Sequence, residues 1–141
     1  AGETARPDVA LIMEGPPADD RPGGSPSEFQ GRLGGGVQIR VFDPSAIMNK
    51  ALVEFSVGVA DAMSIPHQIA VRRSGGTDAA AFQYAGVGCP VVVLGVPARY
   101  IHTHNAMIDI RDYCSAMDLV RALVERLDAS TVAGFTDFLG G

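Results

Sequence analysis

No run of lysine or arginine forms a basic stripe in the 141 residues, and acidic side chains outnumber basic ones 16 to 11, for a formal net charge of -5. A phosphate backbone would require a basic stripe, so nucleic acid is excluded as a partner. Nor does any stretch approach the roughly 20 apolar residues needed to cross a bilayer, and the N-terminus lacks the basic and apolar pattern of a signal peptide. A soluble, cytoplasmic chain with no membrane partner is expected. Cysteine is scarce. Cys89 and Cys114 lie in segments that read as buried strand and helix, with no CxxC or Cys/His spacing around them, which leaves both as reduced core thiols. There is no internal repeat, and no initiator methionine: the chain begins Ala1-Gly2-Glu3-Thr4 and enters a candidate strand within a few residues. That opening is expected of a processed, cleaved or excised piece.

What is present suffices for one core, since 47% of the residues are hydrophobic, and residues 1–141 are read as one domain or one large piece of a domain. The run Val9-Ala10-Leu11-Ile12-Met13 predicts a buried strand closed by Glu14. From Gly15 to Gly36 the composition turns to Pro, Gly, Asp and Ser, a long loop of the kind that is functional or disordered in compact domains. Val37 to Phe42 alternates as a strand. Asp43-Pro44-Ser45 then supplies a cap for a helix from about Ser45 to Ser64, with Ile47, Ala51, Leu52, Phe55, Val59 and Met63 at helical spacing.

His67 to Val71 predicts another strand, and Ser74-Gly75-Gly76-Thr77 a turn into a helix from Asp78 to about Ala85. The most apolar run, Pro90 to Val96, predicts a central parallel strand. A loop with His102 and His104 follows. The last long helix begins near Arg111 with Tyr113, Met117, Val120, Val124 and Leu127 on one face, and the tail from Thr131 to Leu139 adds a helical turn. Strands alternating with helices predict an α/β layered domain with a largely parallel sheet flanked by helices.

In such sheets ligands gather beyond the carboxyl ends of the strands. Glu14, the Gly75-Gly76-Thr77-Asp78 turn and His102 occupy such positions. A carboxylate and an imidazole at neighbouring strand ends suit a divalent metal such as zinc. Taken singly, Glu14 is equally a solvated carboxylate and His102 an ordinary loop histidine. The glycine turn either approaches a ligand closely or bends the chain into an N-cap made by Thr77 or Asp78. His67, His104 and the charges Arg121, Glu125 and Arg126 of the last helix read as ordinary solvated or hydrogen-bonded groups.

The string Ser74-Gly75-Gly76-Thr77-Asp78-Ala79, followed by Gly88-Cys89-Pro90 through Gly95-Val96-Pro97-Ala98-Arg99-Tyr100-Ile101-His102-Thr103, closely resembles the dinuclear zinc aminopeptidase family of glutamyl and tetrahedral aminopeptidases, whose members have often been labelled endoglucanases or cellulases. The likeness covers Asp8 to about Asp128. It implies the C-terminal half of a zinc-exopeptidase-like catalytic domain, acting on peptides and forming homo-oligomers in the complete enzyme. It also implies two divalent metal ions, zinc or cobalt, bridged by an aspartate and a water.

Carried over, the resemblance makes His102 a metal ligand, makes Glu14 the acidic ligand that ends the first strand, and sets Asp20-Arg21-Pro22-Gly23 against the family's D-T-P-G. Gly76, Thr77 and Asp78 fall near the wall of the substrate pocket. Glu14 stands where many relatives have Asp, Arg21 replaces the usual Thr, and Ala80-Ala81-Phe82 replaces a Gly and smaller residues. The family's first histidine, bridging aspartate and Glu-Glu pair, which includes the general base, have no counterpart in residues 1–13 and would lie upstream. The isolated chain is therefore expected to be inactive. The alternative is a non-catalytic fragment or interaction module of the same fold. Hydrolysis of β-glucans finds no pair of carboxylates at strand ends to serve as acid and base.

Overall fold

Four consecutive large apolar residues, Val91-Val92-Val93-Leu94, cannot alternate between core and water, and the strand they form is wholly buried. The computed structural model describes residues 2–25 and 29–137. Its elements run α1 (Gly2–Ala5), β1 (Ala10–Glu14), β2 (Val37–Asp43), β3 (Ala46–Ile47), α2 (Lys50–Ala62), β4 (His67–Val71), α3 (Ala79–Gln83), β5 (Val91–Gly95), β6 (Ala98–Arg99), β7 (Met107–Ile108), α4 (Ile110–Val124) and α5 (Ala129–Gly134). Among the described residues no helix is long and apolar enough to cross a membrane.

The domain is α/β as expected, and its main sheet is mixed. β5 pairs parallel with β1, from Ala10↔Val91 to Glu14↔Gly95, and antiparallel with β2, from Gln38↔Gly95 to Arg40↔Val93. β2 in turn pairs parallel with β4, and β3 turns back on its last residues. A parallel neighbour needs a crossover, usually helical, whereas a reversal needs only a loop. Among the described residues the connection from β1 to β2 holds no helix, and β2 runs back against β5. α2 and α4 pack on each other and on β2 and β5, while α3 packs on β1, β3 and β5.

Two helix readings shift. α2 begins at Lys50, because the Asn49 side chain accepts Leu52 N at 2.9 Å and donates to Phe135 O at 2.8 Å. This moves the cap four residues beyond Ser45, and Ile47 and Met63, read as helix-face residues, are exposed. On α4 the buried stripe is Asp112, Ser115, Ala116, Leu119, Ala122 and Leu123, while Tyr113, Met117 and Val124 face solvent. Small residues let the helix approach the sheet, and large side chains on the adjacent face misdirect a reading by hydrophobicity alone. Cys114 is likewise exposed rather than a core thiol. Cys89 is half-buried, and burial, helped by the charge of Asp8, pushes its thiol pKa up. The tail expectation from Thr131 to Leu139 is met by α5 up to Gly134, and its last residues lie outside the described ones.

Buried carboxylates organise what the ladders leave unpaired. Asp112 of α4, 1% exposed, accepts Gly34 N at 2.8 Å and Gly36 N at 2.7 Å, docking the end of the long loop. Gly36 has φ +85°, and a Cβ there would meet the Pro66 carbonyl, so only glycine fits. At the far end of β2, Asp43 accepts Ser45 N, Ser45 Oγ and Ala46 N on Oδ1, and Arg40 Nη1 and Thr77 Oγ1 on Oδ2. Burial alone would raise the Asp43 carboxyl, but the hydrogen bonds from Ser45, Arg40 and Thr77 prevail and hold it below the usual carboxylate value of 3.8.

Two outcomes follow for stability. Asp112→Ala strands two backbone N–H groups and is expected to cost about 3 kcal/mol in chemical denaturation; a loss near zero would mean that the loop is held otherwise. Because the Asp43 pKa is lowered on folding, its contribution is complete above 3.8 and is lost as pH falls through the depressed folded value. Asp43→Asn is therefore expected to lower stability by about 3 kcal/mol at neutral pH and to flatten the acid limb of a Tm-against-pH curve. An unchanged acid limb would remove Asp43 from that role.

Candidate metal centre

Glu14 ends β1, and its register partners define a row across the sheet: Glu14↔Gly95, Gly95↔Gln38 and Gln38↔Gln68. Paired residues share a face, so the Glu14 side chain rises on the side of Gln38 and Gln68, beneath the long loop. Gly95 leaves that row open beside Glu14; a Cβ there would meet the Pro16 ring. The Glu14 carboxylate is half-buried, and its side chain makes no hydrogen bond or ion pair among the described residues.

The two segments stay zipped beyond the strands. Val96 N donates to Glu14 O at 2.9 Å, Ala98 N to Pro16 O at 2.9 Å and Ala18 N to Ala98 O at 2.8 Å. Arg99 then reaches Asp20 through Nε to Oδ1 at 3.2 Å and Nη2 to the backbone O at 3.1 Å. His102 follows on the turn between β6 and β7, which pair antiparallel through Ala98↔Ile108 and Arg99↔Met107. Tyr100 and His102 have φ 58° and 61°, left-handed backbone that costs a non-glycine residue about 1–3 kcal/mol. Thr103 Oγ1 donates to Tyr100 O at 2.6 Å and braces the turn. The His102 imidazole is exposed and, like the Glu14 carboxylate, unpartnered among the described residues.

The Gly75–Asp78 turn follows β4, which runs opposite to β1 and β5, so its strand end lies at the other edge of the sheet from Glu14. Thr77 is tied there: its N donates to Ser45 Oγ at 3.1 Å and its Oγ1 to Asp43 Oδ2 at 3.1 Å. Gly76 lies so close to Ser45 that a Cβ would sit 2.9 Å from Ser45 Oγ. Asp78 occupies the N-cap position of α3 without a side-chain cap bond, and it is exposed. Arg72, just before the turn, reaches back to Pro17 O at 3.3 Å and Asp19 Oδ2 at 3.1 Å, linking it to the loop after Glu14. His67 contacts Ile65 O and Asp61, while His104 is exposed.

Asp19, Asp112 and Arg72 escaped the sequence reading, because their partners lie up to 78 residues away and no local spacing announces such a contact; Asp20 and Asp43 were singled out, but as a motif echo and a helix cap rather than as the carboxylates that receive Arg99 and Thr77. As a metal centre the chain falls short by itself. Glu14 and His102 are donors of suitable chemistry, but a protein zinc site uses at least three. No group of three or more His, Cys, Asp or Glu among the described residues is arranged to hold an ion.

Residues 1–119 match the family model described as M42 glutamyl aminopeptidase. The glutamyl aminopeptidase of Lactococcus lactis subsp. cremoris is 34% identical over 94% of this chain and 36% of its own length. The TET aminopeptidase of the marine sediment archaeon Thaumarchaeota archaeon SCGC AB-539-E09 superposes with a TM-score of 0.93 at 40% identity, over 96% of this chain and 38% of its own. The TET1 peptidase of Pyrococcus horikoshii, described as assembling into a tetrahedron or a large octahedral shell, superposes with a TM-score of 0.65 at 30% identity, over 83% of this chain and 33% of its own. The chain thus spans little more than a third of these relatives. With the family model matching residues 1–119 and these relatives matching up to 96% of its length, the chain belongs to the M42 glutamyl aminopeptidase family.

Proposed function

We propose that this chain supplies part of the centre of a metal-dependent aminopeptidase, cytoplasmic and homo-oligomeric when complete, that removes the N-terminal residue from peptides. Glu14 and His102 are its metal donors. The observation that carries this reading is the zipped path from Glu14 to Ala18 and from Gly95 to Ala98, which runs the segments bearing both side chains together while leaving both unpartnered among the described residues.

Since two donors do not close a site, the bridging aspartate, the second histidine and the Glu-Glu pair belong, in this reading, to sequence outside these 141 residues. Two divalent ions, zinc or cobalt, would supply the complete centre with an activated water and polarise the substrate carbonyl. This chain's own part is to hold a carboxylate and an imidazole in place. The Gly76, Thr77 and Asp78 turn, proposed as pocket wall, lies beyond the opposite strand ends from Glu14 and joins its loop through Arg72; Thr77 is committed to Asp43, which leaves the Asp78 side chain to meet a peptide.

A second reading, an interaction module without catalysis, is favoured by the exposed apolar side chains Ile69 and Val71 of β4, an outer strand of the described sheet, and Ile47 of β3. Exposed strand edges and apolar faces call for a partner. Light scattering separates the two: a monomer that binds no metal supports the module, and self-association supports a domain needing further chain.

On aminoacyl-nitroanilides with added zinc or cobalt, the 141-residue chain is expected to show no turnover, and turnover lost in His102→Ala would overturn that expectation. Calorimetric titration with zinc should find weak binding that both Glu14→Ala and His102→Ala abolish. Equal binding by both variants and the parent would remove these residues from the metal centre.

A further inference from the structure

Glu14 is fixed by the sheet; His102 is not. Its imidazole has no partner among the described residues, so its place depends on the turn that carries it. The β6–β7 pairing and the Thr103–Tyr100 bond lie within the hairpin, and they fix its shape without fixing its position. Ala98 joins the hairpin base to Pro16 and Ala18 by backbone bonds. Beyond that base, the hydrogen bonds that leave the hairpin for the loop after Glu14 come from Arg99.

Arg99 grips Asp20 with two parts of its guanidinium, Nε to Oδ1 at 3.2 Å and Nη2 to Oδ2 at 3.0 Å, while Nη2 also meets the Asp20 carbonyl at 3.1 Å. Such fork geometry fixes orientation as well as distance, which a point charge does not. Asp20 is itself anchored, because its Oδ2 accepts Leu33 N at 3.2 Å. The pair is partly shielded, with side-chain exposures of 28% for Arg99 and 16% for Asp20.

We propose that the Arg99–Asp20 pair is a positioning clasp that sets where the His102 turn lies relative to Glu14; the purpose of the clasp rests on reading those two side chains as donors to one centre. Arg99 and Asp20 touch no reacting atom in this proposal. They act through the backbone of the turn.

The test is NMR on the labelled 141-residue chain, comparing the parent with Arg99→Met, Asp20→Asn and the double variant. Amide exchange across residues 98–108 is expected to quicken about tenfold in each single variant, with shift changes centred on His102. The double variant should match the singles. Exchange in β1, β2 and β5 should stay at parent values, which a merely structural ion pair would not allow. Arg121→Met, which breaks only the exposed Arg121–Asp118 pair of α4, should leave residues 98–108 untouched.

Unchanged exchange and shifts at 98–108, effects that add in the double variant, or loosening spread evenly over the sheet would each overturn the clasp. If Arg99→Met fails to fold, Asp20→Asn and Arg99→Lys carry the same comparison. A separate arm adds Mn2+ to the parent chain. Joint broadening of the Glu14 and His102 signals supports the donor reading, and its absence overturns that reading without touching the exchange result.

Discussion

The parallel pairing of β1 with β5 is the constraint from which the rest of the arrangement follows. β5 is buried along its whole length, so it must be covered on both faces and bordered on both edges. Its register puts Glu14 opposite Gly95, and the missing side chain at Gly95 lets Pro16 lie over the strand end. The two backbones can then continue side by side to Ala18 and Ala98. A bulkier residue at 95 would lift Pro16 away, and the segments leading to Glu14 and His102 would diverge at the point where the strands stop.

Beyond the ladders the chain relies on carboxylates. The loop after β1 leaves the ladders, and those of its described backbone donors that are packed down must find an acceptor. Asp19 receives Gln30 N and Arg72, Asp20 receives Leu33 N and Arg99, and Asp112 receives Gly34 N and Gly36 N. Ionised acceptors make shorter and stronger bonds than carbonyls, and several donors on one carboxylate offset the cost of taking its charge out of water. Asp109 belongs to the same economy at the surface: the Arg111 side chain and backbone N–H hold its carboxyl at about 2. Against this pattern Glu14 stands apart, half-buried and without a donor among the described residues.

Much of this was legible in the residues and some was not. Periodicity located β1, β2, β4, β5, α2 and α4 because each spans enough residues for an apolar pattern to repeat. It misplaced the start of α2, since Ser45 is taken up by Asp43 and Thr77 and Ala46–Ile47 extend as β3, which leaves the cap to Asn49. It pointed to the wrong face of α4 because Asp112 and Ser115 are buried for their hydrogen bonds, and no hydrophobic pattern contains that information. Strand direction was legible in part: alternation of strands and helices predicts parallel pairing, which holds for β1 with β5 and for β2 with β4, whereas β2 runs antiparallel to β5. The candidate donors Glu14 and His102 came from position at strand ends and from motif likeness. Asp20 and Arg99 stood in the same motif strings, but their role in holding those segments did not show, because the contact between them exists only after folding.

Left-handed backbone separates the His102 turn from ordinary chain. Ser64, with φ 55°, follows the last turn of α2, where that conformation closes a helix and needs no further reason. Tyr100 and His102 close no helix, yet both adopt it within three residues. Such a turn persists only if its surroundings over-determine it, and the β6–β7 pairing, the Thr103 bond and the Arg99 grip are three independent restraints on a short segment. Packing does not account for the expense, because the imidazole so held is exposed. Strain spent on a side chain unpartnered among the described residues fits a turn shaped to present His102 outward, as the proposed metal centre would require.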